Sequence, residues 1–495
     1  MFRSILAITL TGILFGCGGG DGGGGDKSFS GQGQTSDTCP DSMQCDFFTA
    51  PKDYNNDNSE TVKIYYGIHK ATDIENRIGI LVFNYGGPGG EAVGSTDWMI
   101  NNSLPPEILA RFDVIGMDPR GTGQSAFAEE LTDCAVAQSN NNGNCDNVFA
   151  DVAPYLGSNS VVKDLDQLRV LLGEEKLNFF GYSYGTRLGA LYANMYPENV
   201  RAIVLDSPMS PDEANNFEFI KGKITGFDLV VDYRLGFDTA YKSQYIYVFN
   251  KIVDTGYYTA GDGVTLSSEE AYQALTATSG REKTANWSMI KTGVFELLEN
   301  NNAQQLKEQI PNIDYPETTT DDLRSSMLLK AVLCTDEASP LSNNEIIARQ
   351  SEFQAISTLF TPWAKYWSEM CADWPNQQDP IAVVEEMESV LTGQQILIIA
   401  GKYDTNTPYF WGTEMAVSFG ELASVITVDN LADHAFSYTG INCVDKNTTQ
   451  YLLDPTAEIA DETCSGAILN KNRSLALKAS QHPAKRINRR RVQPR

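Results

Sequence analysis

The chain alternates between short apolar runs and longer stretches in which apolar residues recur at helical spacing. The apolar runs are rich in β-branched and aromatic residues and predict buried strands at 61–71, 78–90, 111–125, 177–180 and 201–207. Helical spacing predicts helices at 160–172, with Ser160 as N-cap and Gly173 as the stop, and at 181–197. Strands that alternate with helices in this way predict an α/β fold with a mainly parallel central sheet and helices on both faces.

The pattern changes after residue 207. Residues 208–390 contain aromatic and amphipathic helical stretches with few buried strand runs, which predicts a helical insertion. The strand pattern returns at 394–404 and at 423–430, so we expect the sheet to close after the insertion. The predicted organisation is a first core part at 38–207, a helical cap at 208–390 and a second core part at 391–470.

The N-terminus has the pattern of an exported protein. Residues 1–16 carry one positive charge, at Arg3, followed by an apolar stretch too short to span a bilayer, which predicts a signal peptide. Cys17 ends the run LFGC, which resembles the bacterial lipobox, and residues 17–37 form a glycine-rich tether. We expect a protein of the cell envelope, anchored through acylated Cys17 on the periplasmic or outer-membrane side. An ordinary signal peptide with a stray cysteine is the alternative.

Charge is unevenly distributed along the 495 residues. The chain contains 37 Lys and Arg against 64 Asp and Glu, a formal net charge of −27, and 42% of its residues are hydrophobic. The acidic balance argues against nucleic-acid binding, which needs a basic surface, and the apolar fraction excludes a disordered chain. Residues 471–495 carry nine Lys and Arg and no acid, which predicts a solvated basic tail; contact with an anionic lipid or polymer is the alternative.

Cysteine usage fits an oxidising compartment. Eight cysteines remain when Cys17 is set aside, and an even number in an exported chain predicts disulfide bonds. Sequence alone does not choose the pairing, although sequential neighbours would give the simplest one. A zinc site is disfavoured because the chain has no CxxC and only three histidines, and we expect no metal or organic cofactor. The disulfide candidates are Cys39, Cys45, Cys134, Cys145, Cys334, Cys371, Cys443 and Cys464.

A G-x-S-x-G motif centred on Ser183 lies between a predicted strand and a predicted helix. This is the setting of a nucleophile elbow, a tight turn that lifts the serine hydroxyl above the sheet. Gly181 and Gly185 would allow the turn, because larger side chains at these positions would collide. We predict that Ser183 is a nucleophile; a chance glycine-serine turn is the alternative.

A serine nucleophile needs a base, usually histidine, and an acid that orients this base. His69 precedes the nucleophile and His482 lies in the basic tail, whereas His434 follows the last predicted strand. The chain order nucleophile, acid, histidine therefore makes His434 the predicted base. Asp404, at the end of a predicted strand, is the predicted acid, and Asp206, at another strand end, is the second candidate.

The negative oxygen of a tetrahedral intermediate needs hydrogen-bond donors. The backbone N–H of Tyr184, directly after the nucleophile, is the first predicted donor. The second should come from the run NYGGPGG at 84–90, whose backbone can approach a substrate closely; we expect Gly87, with Gly86 in reserve. A phosphate-binding loop is disfavoured because neither GKS nor GKT follows.

Six segments resemble, in order, the α/β-hydrolase serine exopeptidases of the prolyl aminopeptidase and tripeptidyl aminopeptidase group. They are NYGGPGG, DPRGTGQS, the run at 164–207, AVLCTDE, CADWP and ILIIAGKYDTNTP. The resemblance covers residues 40–466 and implies an α/β-hydrolase fold with a helical cap. It also implies release of residues or short peptides from free N-termini through an acyl-enzyme on Ser183. Cys443, the run YLLD and Cys464 resemble the C-terminal region of the tripeptidyl branch.

Two places depart from that group. Tyr85 stands where the group usually has a histidine, and Asp433 and Ala435 stand where it has glycines around the catalytic histidine. Neither departure removes a triad residue, but both are expected to affect loop geometry and substrate choice. We expect Asp433 to be solvated.

Peptides with a free N-terminus are the substrates that this resemblance implies. Such an enzyme must recognise a positively charged α-amine, and a carboxylate from the cap is the simplest partner in a partly desolvated pocket. The candidates are Asp336 and Glu337, followed by Glu213 and Glu218.

Three other functions compete with this interpretation. A carboxylesterase or lipase with the same triad is the nearest, because a fold does not determine the substrate. A non-catalytic envelope binding protein is disfavoured because all three triad positions are filled. Epoxide hydrolases and dehalogenases are disfavoured because they carry a carboxylate where Ser183 stands.

Overall fold

The computed structural model describes residues 39–466, except 141–144, 212–214, 237–238, 281–286, 313–318, 392–394 and 458. The predicted signal peptide, Cys17 with its tether and the basic tail lie outside the described residues. Among the helices described, none combines the length and the hydropathy that a membrane span requires.

Nine strands of the described chain form one sheet, and two short strands form a separate hairpin. The strands are β1 (Gln44–Pro51), β2 (Thr61–His69), β3 (Gly79–Asn84), β4 (Phe112–Met117), β5 (Leu177–Tyr182), β6 (Val200–Asp206), β7 (Tyr257–Thr259), β8 (Thr265–Ser267), β9 (Ile396–Gly401), β10 (Ala423–Asp429) and β11 (Glu462–Ser465). The sheet order is β1-β2-β4-β3-β5-β6-β9-β10-β11. Pairs β1/β2 and β2/β4 are antiparallel, and the other pairs of this sheet are parallel.

The described helices all lie between strands of this sheet along the chain. Those before β6 or after β9 are α1 (Val93–Asn102), α2 (Pro106–Arg111), α3 (Ala128–Ser139), α4 (Asp146–Val152), α5 (Ser158–Leu171), α6 (Tyr184–Met195), α16 (Tyr409–Phe419) and α17 (Asn442–Leu453). Those between β6 and β9 are α7 (Asn216–Leu235), α8 (Thr239–Thr255), α9 (Ser268–Ser279), α10 (Trp287–Asn300), α11 (Gln304–Gln309), α12 (Thr320–Asp336), α13 (Asn343–Arg349), α14 (Ser351–Ile356) and α15 (Thr361–Ser368). The limits of a cap at 208–390 remain a prediction.

The central strands are apolar throughout because helices cover both faces of the sheet. Every residue of β3, β4, β5 and β9 is buried. Successive side chains of a strand point to opposite faces. Phe179 and Phe180 of β5 accordingly pack into two different hydrophobic clusters. The fold is thus the α/β arrangement with a mainly parallel sheet that the alternation of patterns predicted.

Parallel strands bring their carboxyl ends to one edge of the sheet. The segments that leave β5, β9 and β10 at this edge contain Ser183, Asp404 and His434, and Asp206 is the last residue of β6 at the same edge. The topology thereby gathers residues that are far apart in sequence, which is the usual position of a site in an open α/β sheet.

Several predicted boundaries shift for tertiary reasons. Helix α5 begins at Ser158 rather than after Ser160, because the Ser158 N–H donates to Asp336 Oδ1 at 2.7 Å and thus needs no local cap. The predicted helix at 181–197 begins only at Tyr184, since Gly181 and Tyr182 still belong to β5. The predicted strand at 111–125 is limited to β4, and the edge strands β1 and β11 escaped prediction.

Four disulfide bonds join sequential neighbours, the pairing that the sequence made simplest. The pairs are Cys39–Cys45, Cys134–Cys145, Cys334–Cys371 and Cys443–Cys464. All eight candidate sulfurs are therefore engaged in bonds to one another. The bond between Cys334 and Cys371 joins α12 to the segment that follows α15.

Removal of the Cys334–Cys371 bond should destabilise the protein more than removal of the Cys39–Cys45 bond. The first closes 37 residues and the second six, and loop-closure entropy grows with the logarithm of that length. The chain-entropy model gives losses of about 4 and about 2 kcal/mol for the double Cys→Ser variants. Urea unfolding under oxidising conditions measures both. A larger loss for the six-residue loop would contradict the prediction.

Candidate active site

Ser183 lies in the sharp turn between β5 and α6. Its backbone has φ 54° and ψ −120°, a strained conformation for a residue other than glycine. The flanking glycines make the turn possible: a Cβ on Gly181 would lie 2.3 Å from the carbonyl oxygen of Gly185, and one on Gly185 would lie 2.7 Å from Asn84 Oδ1. The turn is therefore the elbow that the motif predicts, with the serine at the N-terminus of α6.

Asp404 and His434 are directly hydrogen-bonded. The imidazole Nδ1 lies 2.8 Å from Oδ1 and 3.0 Å from Oδ2 of Asp404, and both side chains are buried. Asp404 Oδ1 also accepts the N–H groups of Asn406 and Thr407, each at 2.8 Å. Burial by itself would raise the pKa of Asp404, but His434 and these N–H groups hold it below its usual value. The carboxylate therefore stays ionised and orients the ring through Nδ1.

The other two histidines have different positions. His69 ends β2, where its Nδ1 lies 2.7 Å from the carbonyl oxygen of Ser42. His482 lies outside the described residues. Of the histidines described, His434 is thus the one that contacts Asp404.

Asp206, the second candidate acid, binds backbone instead of imidazole. Its carboxylate accepts the N–H of Phe436 at 3.1 Å and that of Ser437 at 2.7 Å. Its own carbonyl oxygen accepts the N–H of Ser183 at 2.9 Å. Asp206 therefore ties the nucleophile turn and the segment after His434 to the end of β6, a role that its place at a strand end did not reveal.

The half-buried carboxylate of Asp445 in α17 holds the next part of the histidine loop, the segment at 430–441 between β10 and α17 that carries His434. It accepts the N–H of Tyr438 at 2.6 Å and that of Gly440 at 3.1 Å. Ala435 N–H donates to Ser207 Oγ at 2.9 Å. Together with the bonds to Asp206, side-chain oxygens thus accept five of the six backbone N–H groups from 435 to 440. The loop is rigidly placed although it has no regular secondary structure.

The glycine-rich segment after β3 lies against the nucleophile. A Cβ on Gly86 would come within 2.8 Å of Ser183 Cβ and 3.2 Å of the nitrogen of Tyr184. The Gly86 N–H donates to Asn84 Oδ1 at 3.0 Å, so it is engaged. Within the described part of the chain, the N–H groups of Gly87 and Tyr184 donate to no protein acceptor. Gly87 and Tyr184 are thus better suited than Gly86 to bind an oxyanion.

Tyr85 and Asp433, the residues that depart from the family pattern, have local partners. The Tyr85 hydroxyl donates to Thr96 Oγ1 at 2.9 Å, and its ring stacks on that of Tyr182 in the core. Asp433 Oδ1 accepts the N–H of His434 at 2.9 Å, and its carbonyl oxygen accepts the N–H of Thr405 at 3.2 Å. Asp433 is therefore part of the histidine loop and not merely solvated.

The predicted amine-binding residues occupy different environments. Asp336 is fully buried, and its carboxylate accepts the N–H and the hydroxyl of Ser158 at 2.7 and 2.5 Å. Burial raises the pKa of Asp336 to about 6. Ser158 Oγ in turn lies 2.7 Å from the hydroxyl of Tyr184. This carboxyl therefore links α12 to the residue that follows the nucleophile.

Glu337 is also buried, and its Oε1 accepts the N–H of Asn216, the first residue of α7, at 3.3 Å. Glu218 forms ion pairs with Lys221 and Arg349. Glu213 lies outside the described residues. Glu337 is thus at the positive end of a helix, whereas Glu218 is paired with surface cations.

Glu91, which the sequence did not single out, follows the glycine-rich segment directly. It lines a cavity of about 220 Å³ together with Asp118, Asp321 and Arg324, and none of the triad residues lines this cavity. Burial, with Asp118 nearby, raises the pKa of Glu91 to about 9. The carboxyl is therefore neutral at pH 7, which avoids a negative charge beside a segment suited to binding an oxyanion.

Comparison with known proteins agrees with this geometry. Residues 79–226 match the family model described as alpha/beta hydrolase fold, and residues 359–464 match the model described as TAP-like protein. The chain is similar to a tripeptidyl aminopeptidase of Streptomyces lividans, at 24% identity over 86% of this chain and 84% of that protein. It is similar to the serine protease Hip1 of Mycobacterium tuberculosis, at 25% identity over 86% and 88%. It is also similar to a carboxylesterase B of M. tuberculosis, at 25% identity over 85% and 86%.

Asp206→Asn should flatten the pH dependence of stability between about pH 4 and pH 6. Burial raises the pKa of Asp206 to about 6. A raised pKa stabilises the folded state fully below the ordinary carboxyl value, near ~4, and this contribution is lost as the pH rises through about 6. Urea unfolding at a series of pH values measures the slope. Asp46→Asn, at an exposed position, is the control and should keep the wild-type slope. The prediction is wrong if Asp206→Asn keeps the wild-type slope as well.

Proposed function

Because the chain is a serine hydrolase with the α/β-hydrolase fold, we propose that it is a peptidase that releases short peptides or single residues from free N-termini. The observation that carries the proposal is the buried Asp404–His434 hydrogen bond at the sheet edge where the elbow of Ser183 lies. These are the parts of a nucleophile, base and orienting acid.

In the proposed reaction the Ser183 hydroxyl attacks the carbonyl carbon of the scissile amide. His434 accepts the hydroxyl proton through Nε2, since its Nδ1 side is held by Asp404. The ring then gives this proton to the leaving amine, and an acyl-enzyme remains on Ser183. Water deprotonated by His434 hydrolyses this ester and restores the serine.

The oxyanion of each tetrahedral intermediate would be bound by the N–H groups of Gly87 and Tyr184. Both belong to backbone that is fixed before substrate arrives: Gly87 lies within the turn closed by the Gly90 N–H to Gly86 oxygen bond of 3.2 Å, and Tyr184 begins α6. Preorganised donors stabilise charge without reorganisation, and one such donor contributes about 10²- to 10³-fold in rate.

A peptide substrate is favoured over a simple ester by the TAP-like match at 359–464 and by relatives named as an aminopeptidase and a serine protease. The relative named carboxylesterase B keeps an esterase as the second candidate function. A peptidase and an esterase would use the same three residues, so only the substrates that are turned over can distinguish the two functions.

For the α-amine of the substrate we propose Glu337. Both carboxylate oxygens of Asp336 hold Ser158 through short hydrogen bonds, and Glu218 is paired with Lys221 and Arg349. Glu337 follows Asp336 directly and binds the N-terminus of α7, where the helix dipole favours a negative side chain.

We further propose that the protein is exported and anchored through Cys17. The features that support this are the pattern of residues 1–37 and four disulfide bonds, which persist in oxidising compartments.

Chromogenic Pro-, Ala- and Ala-Ala-Pro-amides, each with a free and a blocked N-terminus, test the peptidase. We expect turnover of free-amine substrates only, with none above background in Ser183→Ala. Asp404→Asn should lower kcat by roughly 10⁴-fold, because the imidazole loses its orienting charge. The longest substrate that is cleaved gives the number of residues released.

The esterase alternative has its own signature in the same assay. Turnover of short esters that depends on Ser183, without cleavage of any amide, would overturn the peptidase proposal while leaving the triad intact. Amide cleavage that survives Ser183→Ala would overturn the triad itself.

Glu337→Gln should raise KM for free-amine substrates by about 10- to 100-fold, the cost of a charged hydrogen bond in a buried site. Glu218→Gln is the matched control, because its carboxylate pairs with surface cations, and its KM should stay within about twofold. Short esters without an amine report any general damage. An unchanged KM in Glu337→Gln would remove this residue from amine recognition.

A further inference from the structure

Helix α7 carries two buried cations on the same face. Lys223 is 5% exposed and Arg234 is 1% exposed. They are eleven residues apart, which is close to three helical turns, so both side chains leave the helix in nearly the same direction. Buried cations are rare unless they bind a partner. The hydrogen-bond partners of Lys223 and Arg234 therefore indicate the role of this face of α7.

Lys223 binds the loop that carries Asp404. Its Nζ donates to the carbonyl oxygen of Asn406 at 2.8 Å. The N–H groups of Asn406 and of Thr407 are the two that donate to Asp404 Oδ1. Lys223 therefore holds the backbone turn that fixes the carboxylate.

Arg234 binds the loop that carries His434. Its guanidinium donates to the carbonyl oxygen of Ala432, two residues before the histidine, at 2.7 Å. The same group donates to the carbonyl oxygens of Thr278, in the last turn of α9, at 2.7 Å, and of Gly280, directly after that helix. A single side chain thus joins α7, the end of α9 and the histidine loop.

Small residues bring α7 close enough for these bonds. A Cβ on Gly222 would lie 2.4 Å from the ring of Trp411, and one on Gly226 would lie 2.8 Å from Pro408. At the other end, the rings of Tyr233 and Tyr403 stack with centroids 3.7 Å apart. The helix is therefore packed, over much of its length, along the start of α16 and along the acid loop, the segment at 402–408 between β9 and α16 that carries Asp404.

We propose that Lys223 and Arg234 are positioning residues for the triad, and that α7 is a brace that sets the acid loop against the histidine loop. The inference rests on the proposed catalytic role of Asp404 and His434. Their hydrogen bond joins two loops that leave different strands, and a shift of about 1 Å between such groups costs on the order of 10²-fold in rate. Charged donors to buried carbonyl oxygens resist such a shift, because breaking them leaves a buried acceptor unpaired.

Lys223→Met is the first test, with Lys221→Met as the matched control on the same helix. Lys221 pairs with Glu218 and Glu352, and its side chain is 26% exposed. Active sites are counted by labelling Ser183 with a fluorophosphonate to completion, and kcat is expressed per labelled site. We expect Lys223→Met to lower kcat by about 10- to 100-fold with KM within twofold, and Lys221→Met to change neither.

Expressing kcat per labelled site separates positioning from stability. A protein that is only destabilised has fewer labelled sites but an unchanged kcat for each. A decrease of kcat per site smaller than fivefold in Lys223→Met therefore overturns the proposal, whatever the change in Tm. If Lys223→Met does not fold, Lys223→Gln, which is too short for the same reach, replaces it under the same criterion.

Arg234→Met and the double variant test the shared brace. Since both side chains would act on one hydrogen bond, the double variant should lose less than the product of the two single effects. Losses that multiply would show two independent roles and overturn the brace.

The assay uses whichever substrate depends on Ser183, amide or ester, so failure of the peptidase proposal does not prevent the test. Where no substrate is turned over, the rate constant for fluorophosphonate labelling takes the place of kcat. If the fluorophosphonate does not label Ser183 of the wild-type protein, the catalytic proposal and this inference are both overturned.

Discussion

The geometry of the active site depends on the hydrogen bonds of one buried residue, Asp206. A carboxylate without water is costly, and this one is stabilised by backbone N–H groups of the histidine loop. The carbonyl oxygen of the same residue accepts the N–H of Ser183. Asp206 is also the register partner of Tyr182 at the end of β5. The nucleophile turn and the histidine loop are therefore both attached to the end of β6.

The helices between β6 and β9 are coupled to this arrangement at several points. Asp336 at the end of α12 reaches Tyr184 through Ser158, and Ser325 of the same helix donates to the carbonyl oxygen of Gly89 at 3.2 Å. Helix α7 binds the acid and histidine loops through Lys223 and Arg234. These helices therefore take part in the construction of the site and are more than a cover over it.

Burial gives the acidic side chains near the site different charges. Asp404 faces an imidazole and backbone donors, so its pKa is lowered and it remains ionised. Glu91 and Asp445 face other carboxylates or fewer donors, and burial raises their pKa to about 9 and about 7. A chain with a strong excess of acid can in this way place one full negative charge behind the imidazole and keep Glu91 neutral beside the glycine-rich segment.

The features that sequence alone determined are those with a local physical cause. Glycines two residues from Ser183 are required by a tight turn, apolar runs are required by strands buried on both faces, and only three histidines compete for the place of the base. Only the tertiary structure decided what Asp206, Asp336, Lys223 and Arg234 do. At a strand end or on a helix, a charged residue has the same appearance in sequence whether it meets solvent, an imidazole or a backbone carbonyl. The partner of Asp206 is 230 residues away, and that of Lys223 is 183 residues away. Their meeting follows from the order of parallel strands and the docking of α7, which no local pattern contains.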